Sequence, residues 1–358
     1  MINPYGSVDW GSYQKIQSLS HAHSHSQNLN VAFNSVKAWY DDGIRHFAYS
    51  NYYPSNPTYP IGSDDLWCRG VTADNVKYAA WKENITDLIE SPNAEHHSIQ
   101  RDNGVSVSRL HINGLGSTYS SGNPPGVTPV GCNIPWKTLF DNILSNLQYS
   151  DAGGVTINHP SWTKASTSSA RLTDDDVFQM LDYDDRVLGI EIYNHSSETS
   201  EGNGWDLVLF DKILSTGRRC WCFAVPDHHY PGYTPSEGSA GRNVLLVPTI
   251  TEYNCLKAYR DGNFYCQLYN TALAFTNISY ANGSLSVSVA NADEITFVAN
   301  GNQTTVSGNS AVFTVPLNAV YVRVQASGLG DMVFSNPIML KDVKKKSNVS
   351  RKIVTLFD

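Results

Sequence analysis

The chain has 358 residues, of which 41% are hydrophobic and 11% aromatic, so it can bury a sizeable core and is not a disordered protein. Its 25 lysines and arginines and 33 aspartates and glutamates give a formal net charge of −8, opposite to the basic footprint of a nucleic-acid-binding protein. Charged residues make up only 16%, and the Asn, Ser, Gly and Tyr that replace them are typical of extracellular, cell-surface and phage-borne proteins.

Neither a membrane span nor a signal peptide is predicted. No apolar run approaches the roughly 18 residues that a transmembrane helix needs. The start, MINPYGSVDW, lacks the basic and apolar segments of a signal peptide. We therefore expect no membrane partner and, by default, a cytoplasmic location, with a surface or phage-associated location as the alternative. The cysteines form no CxxC pair, and Cys220 and Cys222 are expected to be buried strand residues.

Apolar segments and helical stripes alternate along the first two thirds of the chain. Strands are predicted, in order, at residues 15–23, 43–50, 104–112, 153–159, 187–194, 218–225 and 243–250. Helices are predicted at residues 34–42, 136–149, 173–181 and 205–216. Thr173 and Asp176 stand in capping-box positions, and Gly217 follows the last of these helices as a C-cap glycine does. Alternating strands and helices indicate parallel βα units, and seven strands favour a TIM-like (β/α) barrel over an open sheet.

The sequence pattern changes after about residue 256. Short alternating segments separated by Asn-Gly and Gly-Asn turns predict a small, all-β, antiparallel sandwich. The expected domains are therefore a metal-dependent α/β barrel at residues 1–255, a β-sandwich at residues 256–342 and a basic tail at residues 343–358.

Metal-ligand residue types cluster at the predicted strand ends, where a parallel barrel gathers its functional residues. The residues in question are His21, His23, His111, His159, Asp227, His228 and His229. His21 and His23 are two apart on a strand, so both imidazoles point to one face and can share a metal ion. Glu95 supplies a carboxylate that can bridge two cations. One such histidine alone is explained by a structural hydrogen bond, but the combined pattern favours a metal site.

Six motifs give the chain a resemblance to the polymerase and histidinol phosphatase (PHP) family over roughly residues 15 to 255. SHAHS, PNAEHH, RLHINGLGS, INHPSW, GIEIYN and VPDHH occur in the family's order. The resemblance implies a distorted seven-stranded (β/α) barrel with several metal ions. The implied ligands are His21, His23, Glu95, His111, His159, Asp227 and His229, supported by Glu191 and Asn194.

The chain departs from the family pattern where a third metal ion would bind. Ser50-Asn51-Tyr52 stands in place of a Thr-Asp-His motif, and a further family histidine is missing from its usual place. We therefore expect two divalent ions, Zn, Mn or Fe, and leave the third open, since His25 is a candidate to compensate.

The predicted activity is hydrolysis of a small phosphate ester by a hydroxide held between two metal ions. Glu95 and Asp227 hold the ions, and His229 binds a third ion or protonates the leaving oxygen. Arg171, Lys164 and Arg242 are candidates to bind phosphate, although a structural or solvated role is the more ordinary explanation of each. Two alternatives stay open: an amidohydrolase-like metal hydrolase, and a non-catalytic glycan- or surface-binding protein.

Overall fold

The structure is a computed structural model that describes residues 1–23, 32–48, 50, 80–119, 132–168, 170–228, 240–269 and 271–341. The helices are α1 (Ala32–Asp41), α2 (Trp136–Ser145), α3 (Pro160–Lys164), α4 (Asp174–Leu181), α5 (His195–Glu201), α6 (Leu207–Ser215) and α7 (Glu252–Asp261). The strands of the first part are β1 (Gln14–Leu19), β2 (His46–Ala48), β3 (Ile89–Ser91), β4 (Glu95–His96), β5 (Ile112–Leu115), β6 (Gly154–Ile157), β7 (Val187–Asn194), β8 (Trp221–Val225) and β9 (Arg242–Val247). Those that follow are β10 (Phe264–Gln267), β11 (Ala274–Ala281), β12 (Ser284–Ala290), β13 (Glu294–Ala299), β14 (Asn302–Ser307), β15 (Ser310–Thr314), β16 (Tyr321–Gly328), β17 (Asp331–Ser335) and β18 (Ile338–Met339).

The described strands pair into three sheets. The largest has the order β14-β13-β16-β17-β10-β9-β1-β2-β3, with β18 beside β16. A second sheet has the order β4-β5-β6-β7-β8, and a third the order β11-β12-β15. Helix α2 packs buried apolar side chains, among them Leu139, Phe140 and Ile143, into the same cluster as residues of the second sheet. No helix in the described ranges is both long and apolar enough to cross a bilayer.

Several local predictions are confirmed. Strand β7 has the predicted bounds and is buried along its whole length. Helix α4 begins with a complete capping box, in which Thr173 and Asp176 each bond the other's backbone N–H. Gly217, just after α6, has a φ of 83°, which suits a glycine that ends a helix. Cys220 and Cys222 are fully buried, as expected.

The strand predicted at residues 104–112 is wrong, since strand β5 begins only at Ile112. Gly104 and Arg109 have φ values of 80° and 62°, which interrupt an extended backbone, and Val105 is 43% exposed. His111 therefore precedes a strand instead of ending one.

The strand directions only partly follow the expected parallel pattern. Strands β1, β2 and β3 are parallel neighbours, as are β6, β7 and β8. Strands β4 and β6 both run antiparallel to β5, and β9 runs antiparallel to β1. Among the described residues, no ladder of backbone hydrogen bonds joins the second sheet to the first, so a closed barrel stays a prediction.

Side-chain amides connect these two sheets where ladders do not. Asn113 of β5 donates a hydrogen bond to the carbonyl of Ser20, directly after β1, at 3.2 Å. At the other edge, the backbone N–H of Ala224 in β8 donates to the side chain of Asn243 in β9 at 3.2 Å. These bonds satisfy buried backbone groups at the sheet edges and link β5 to the end of β1 and β8 to β9.

The predicted division at residue 256 falls inside helix α7, and the sheet continues across it. Strand β10 pairs with β9 on one side and with β17 on the other. Tyr321 and Phe334 belong to the same buried cluster as Phe210 of helix α6. The strands from β11 onward pair antiparallel, as expected, and their sandwich arrangement stays a prediction.

Candidate metal centre

The ends of strands β1 and β8 bring three predicted ligands together. The backbone N–H of Asp227 donates to the carbonyl of His21 at 3.1 Å, and that of His23 donates to the carbonyl of His228 at 3.0 Å. These two bonds lock the segments after the strands side by side, although the strands belong to different sheets. His21, His23 and Asp227 consequently lie within one buried cluster.

Antiparallel pairing brings in the other predicted ligands. Because β5 runs opposite to β6, the start of β5 lies beside the end of β6, and Ile112 pairs with Ile157. The backbone of Asn158 donates to the carbonyl of His111 at 3.1 Å, which places His111 next to His159. Strand β4 runs opposite to β5 in turn and carries Glu95 to the same place.

Two of the candidate ligands have an unfavourable backbone conformation. His159 has a φ of 29° and Asp227 a φ of 47°, a region that residues with a Cβ rarely adopt. Such strain of order 1–3 kcal/mol per residue persists only where surrounding contacts fix it, and it is common at functional sites. Here each strained residue lies just after a strand, His159 after β6 and Asp227 after β8.

Glu95 lies at the centre of the cluster and is 3% exposed. The contacts of its carboxylate are His111 Nδ1 at 2.8 Å, His97 Nε2 at 2.9 Å, Asn158 Nδ2 at 3.1 Å, His21 Nε2 at 3.2 Å, His23 Nε2 at 3.4 Å and His159 Nε2 at 3.4 Å. No other described carboxylate has so many imidazole neighbours. This is the geometry expected of a shared, bridging carboxylate.

Two groups of side chains have the spacing of metal ligands, and Glu95 belongs to both. In the first, His21, His23, Glu95 and Asp227 offer ligand atoms that all lie within 4.8 Å of one another. In the second, Glu95, His97 and His111 do so. Each group is a candidate place for a divalent ion, and the two groups share one carboxylate.

His97 was not singled out by the sequence analysis. Its ring stacks on that of His111, with centroids 3.7 Å apart and planes 5° from parallel. The sequence does contain a pattern that could have identified His97, because Glu95 and His97 have the same spacing of two residues as His21 and His23. His96, between them, points elsewhere and stacks on Tyr119 at 5.7 Å.

A layer of buried carboxylate and amide groups orients the ligands. Glu191 Oε1 lies 2.6 Å from His21 Nδ1, and Oε2 accepts hydrogen bonds from the backbone of His159 and from Asn194 Nδ2. Asn194 Nδ2 also donates to Asp227 Oδ2 at 3.0 Å. Glu191 and Asn194 therefore contact three candidate ligands, and their supporting role stays a prediction.

Solved structures and known families add little to this geometry. No protein-family model matches the chain, and no curated protein matches it. A two-domain protein from Bacteroides vulgatus ATCC 8482, described as containing a predicted PHP-like metal-dependent phosphoesterase, is similar over 95% of this chain and 97% of its own, with 11% identity and a TM-score of 0.48. PsfC from Pseudomonas syringae PB-5123 is similar over 72% of this chain and 93% of its own, with 9% identity and a TM-score of 0.38. At identities and TM-scores this low, function has to be inferred from the site itself.

The charges in the cluster are strongly coupled. Burial disfavours a charged imidazole at His21, but the surrounding carboxylates, Asp227 first among them, raise its pKa well above the ordinary value. Burial alone would raise the pKa of Glu95, whereas the nearby histidines, His111 first, lower it well below the ordinary value. Burial lowers the pKa of His111 itself to about 3, which favours the neutral imidazole. A neutral ring still stabilises the Glu95 carboxylate through the 2.8 Å hydrogen bond from Nδ1.

The donor set fits a divalent metal. Because His21 Nδ1 bonds Glu191, its Nε2 lone pair faces Asp227 Oδ1 at 3.0 Å and Glu95 Oε1 at 3.2 Å. This nitrogen makes no hydrogen bond with any described residue. In the neutral ring, a lone pair facing two carboxylate oxygens is repulsive unless a positive charge lies among them. That charge is either a bound metal ion or a proton on the ring, and the preference for it appears as the raised pKa of His21. Mixed imidazole and carboxylate donors suit Zn, Mn or Fe.

Two of the three predicted phosphate-binding cations have other contacts. Lys164 pairs with Asp174 at the surface of α3 and α4. Arg242 is 1% exposed and pairs with Asp42 and Gln17, so substrate cannot reach it without unfolding that contact. Burial and pairing thus give both residues a structural role, while Arg171 is exposed. The predicted residues His25, His229, Asn51 and Tyr52 lie outside the described residues.

Proposed function

We propose that the protein is a metal-dependent hydrolase of small phosphate esters, the activity that the PHP-like order of its motifs implies. The observation that carries the proposal is Glu95, one buried carboxylate shared by two adjacent groups of metal-ligand side chains. Paired ions about 3.5–4 Å apart occur in phosphatases, polymerases and nucleases, and also in aminopeptidases. The order of the motifs is what favours phosphate esters here.

The first group, with His21, His23 and Asp227, would hold one ion, and the second, with His97 and His111, the other. His159 Nε2 faces both Glu95 and Asp227, at 3.4 and 4.0 Å, and is the nearest further imidazole. When bound, such ions polarise phosphoryl oxygens and lower the pKa of a water molecule.

The chain's own groups prepare the site for this chemistry. Glu191 accepts from His21 Nδ1 and so fixes the tautomer that leaves Nε2 for a ligand bond. Asn194 holds Asp227 from the other side. His21 and His23 have side chains that are 0% exposed, so bulk water is excluded from this part of the cluster.

The structure offers less support for the alternatives. Amidohydrolase barrels carry a bridging lysine, but Lys164 is engaged by Asp174. A purely glycan-binding protein would have no need for buried, strained residues of metal-ligand type around one carboxylate.

The decisive experiment measures metal content and phosphatase activity together. Elemental analysis of the purified protein should find more than one transition-metal ion per chain. With Mn²⁺ or Zn²⁺ supplied, the protein should hydrolyse p-nitrophenyl phosphate, and a chelator should abolish the rate. Glu95→Gln and Asp227→Asn should each lower kcat by about 100-fold or more, whereas Asp175→Asn, an exposed residue of α4, should not.

Two results would contradict the proposal. A folded wild-type protein that takes up no metal would exclude a metal hydrolase. A metal-loaded protein that cleaves amides and leaves phosphate esters intact would favour the amidohydrolase alternative.

A further inference from the structure

Exposure shows from which side the cluster can be reached. The side chains of His97 and His111 are 18% and 16% exposed, whereas that of His159 is 2% exposed and that of His21 is fully buried. A ligand from solvent therefore approaches the cluster past His97 and His111.

An indole ring lies beside this opening. The ring of Trp162 contacts that of His159 with centroids 4.9 Å apart, and that of His111 with centroids 5.6 Å apart. Trp162 follows His159 in helix α3, so the same sharp turn that places the histidine also places the indole.

Arg109 lies over the same indole ring. Its guanidinium carbon is 4.6 Å from the Trp162 ring centroid, and Nη1 donates to Glu201 Oε2 at 2.7 Å. Its backbone carbonyl accepts a hydrogen bond from Thr163 at 2.8 Å, and its φ of 62° is strained for an arginine. The chain thus holds an arginine in a costly conformation next to the metal centre.

The guanidinium retains donors for a ligand. It is 35% exposed, and of its five N–H groups the contact with Glu201 uses one. The hydrogen bond from Arg109 lowers the pKa of Glu201, so the pair is ionised at neutral pH. A planar fork with free donors beside a metal centre is suited to phosphate oxygens.

We propose that Arg109, held over Trp162 by Glu201, binds the phosphate of the substrate, and that the substrate is a phosphate monoester. The proposal rests on the proposed function. A monoester has three terminal oxygens and a diester two. If two bound ions took one oxygen each, only a monoester would keep a terminal oxygen free of metal for the guanidinium. None of the three cations predicted from the sequence, Arg171, Lys164 and Arg242, is seen over an indole ring that contacts the candidate ligands.

The test is a calorimetric titration of Mn²⁺-loaded protein with inorganic phosphate. Arg109→Gln should weaken phosphate binding by about tenfold or more, because a charged hydrogen-bond donor is lost. The phosphate affinity of Arg109→Lys should lie between those of the wild type and of Arg109→Gln. Metal content should stay at the wild-type value. Arg218→Gln is the matched control and should bind phosphate normally, because Arg218 also lies over an aromatic ring, that of Phe178, and pairs with a carboxylate, that of Asp182.

Kinetics test the substrate class. Arg109→Gln should lower kcat/KM for p-nitrophenyl phosphate more than for bis(p-nitrophenyl) phosphate, so the monoester-to-diester ratio should fall. Glu201→Gln removes the charge that positions Arg109 and keeps an acceptor oxygen, so it should weaken phosphate binding less than Arg109→Gln does.

The outcomes separate the two proposals. Wild-type phosphate affinity and an unchanged ratio in a folded Arg109→Gln protein would overturn the role of Arg109 while leaving a metal hydrolase intact. A wild-type protein that binds neither metal nor phosphate would overturn both.

Discussion

The buried carboxylate of Glu191 illustrates how much of the site depends on a single residue without a direct ligand role. It accepts three hydrogen bonds, from His21, from the backbone of His159 and from Asn194. A glutamine there has one acceptor oxygen, and its NH₂ group would oppose one of these N–H donors. Two candidate ligands would lose their orientation together.

We therefore expect Glu191→Gln to weaken Mn²⁺ binding by about 10- to 100-fold, the usual effect of removing a group that orients a ligand. Competition with a chromogenic chelator measures the affinity. Glu198→Gln is the control, because its side-chain oxygen can still accept from the backbone of Gly204. Equal metal affinity in Glu191→Gln and wild type would show that Glu191 does not orient ligands.

Asp206 gives a prediction about pH. Burial raises the pKa of its carboxyl to about 6, against two hydrogen bonds from Ser161 that lower it. A raised pKa means that the folded state holds a proton which the unfolded state releases. This contribution to stability is complete below the ordinary value of 3.8 and is lost as the pH rises through about 6.

Asparagine at position 206 cannot ionise, so the variant does not lose stability as the pH rises through about 6. The stability of Asp206→Asn relative to wild type should improve by up to about 3 kcal/mol between pH 4 and 7. Urea unfolding across this range measures the difference. A constant offset would reflect the lost hydrogen bond, so a difference that does not change with pH would contradict the raised pKa.

Among the elements, strands β7 and β8 carry the most direct connection between core and site, since Glu191 and Asn194 lie on one and Asp227 follows the other. Gly189 of β7 pairs with Trp221 of β8. A Cβ at position 189 would lie 1.9 Å from the carbonyl oxygen of Trp221 and 2.6 Å from its nitrogen. Both obstacles are backbone atoms, which cannot rotate away.

Gly189→Ala should therefore destabilise the protein by about 3 kcal/mol or more, at the upper end of overpacking effects. Thermal unfolding followed by circular dichroism measures the loss. Gly11→Ala is the control, because its Cβ would meet only a side-chain oxygen at 3.4 Å. If the two variants unfold at similar temperatures, the close approach of β7 and β8 is not as described.

At the scale of the whole molecule, the N-terminal and C-terminal parts share buried contacts. Arg323 of β16 is 2% exposed, and its guanidinium forms a two-pronged ion pair with Asp211 of helix α6, at 2.7 Å for each bond. Tyr321 donates to the same carboxylate at 2.9 Å. These contacts join the last strands to a helix that packs against the second sheet.

A fragment of residues 1–255 should consequently fail to fold. It would cut α7, remove the β10 neighbour of β9, and expose apolar side chains that now pack with Tyr321 and Phe334. We expect aggregation or a loss of near-ultraviolet circular dichroism. A fragment ending at Lys341 keeps every described residue and serves as the control. A soluble, cooperatively unfolding 1–255 fragment would show that the barrel region is independent.

The sequence alone determined the features that depend on neighbouring residues. The capping box of α4, the glycine after α6 and the bounds of β7 follow from local hydrogen bonds and from the alternation of apolar residues. Most of the candidate ligands were also named from the sequence, because ligand chemistry limits them to few residue types, and their ligand role stays a prediction. His97 could have been added by applying the two-residue spacing to Glu95.

Only the tertiary structure decided what depends on strand direction and on distant partners. His111 reaches the cluster because β5 runs antiparallel to β6, although the sequence had placed it at the end of a strand. Arg242 and Lys164 form ion pairs with Asp42 and Asp174, respectively. Arg109 instead lies over Trp162. Strand pairing and ion pairing join residues far apart in the chain, and their free energy depends on the whole packed fold, so no local pattern specifies them.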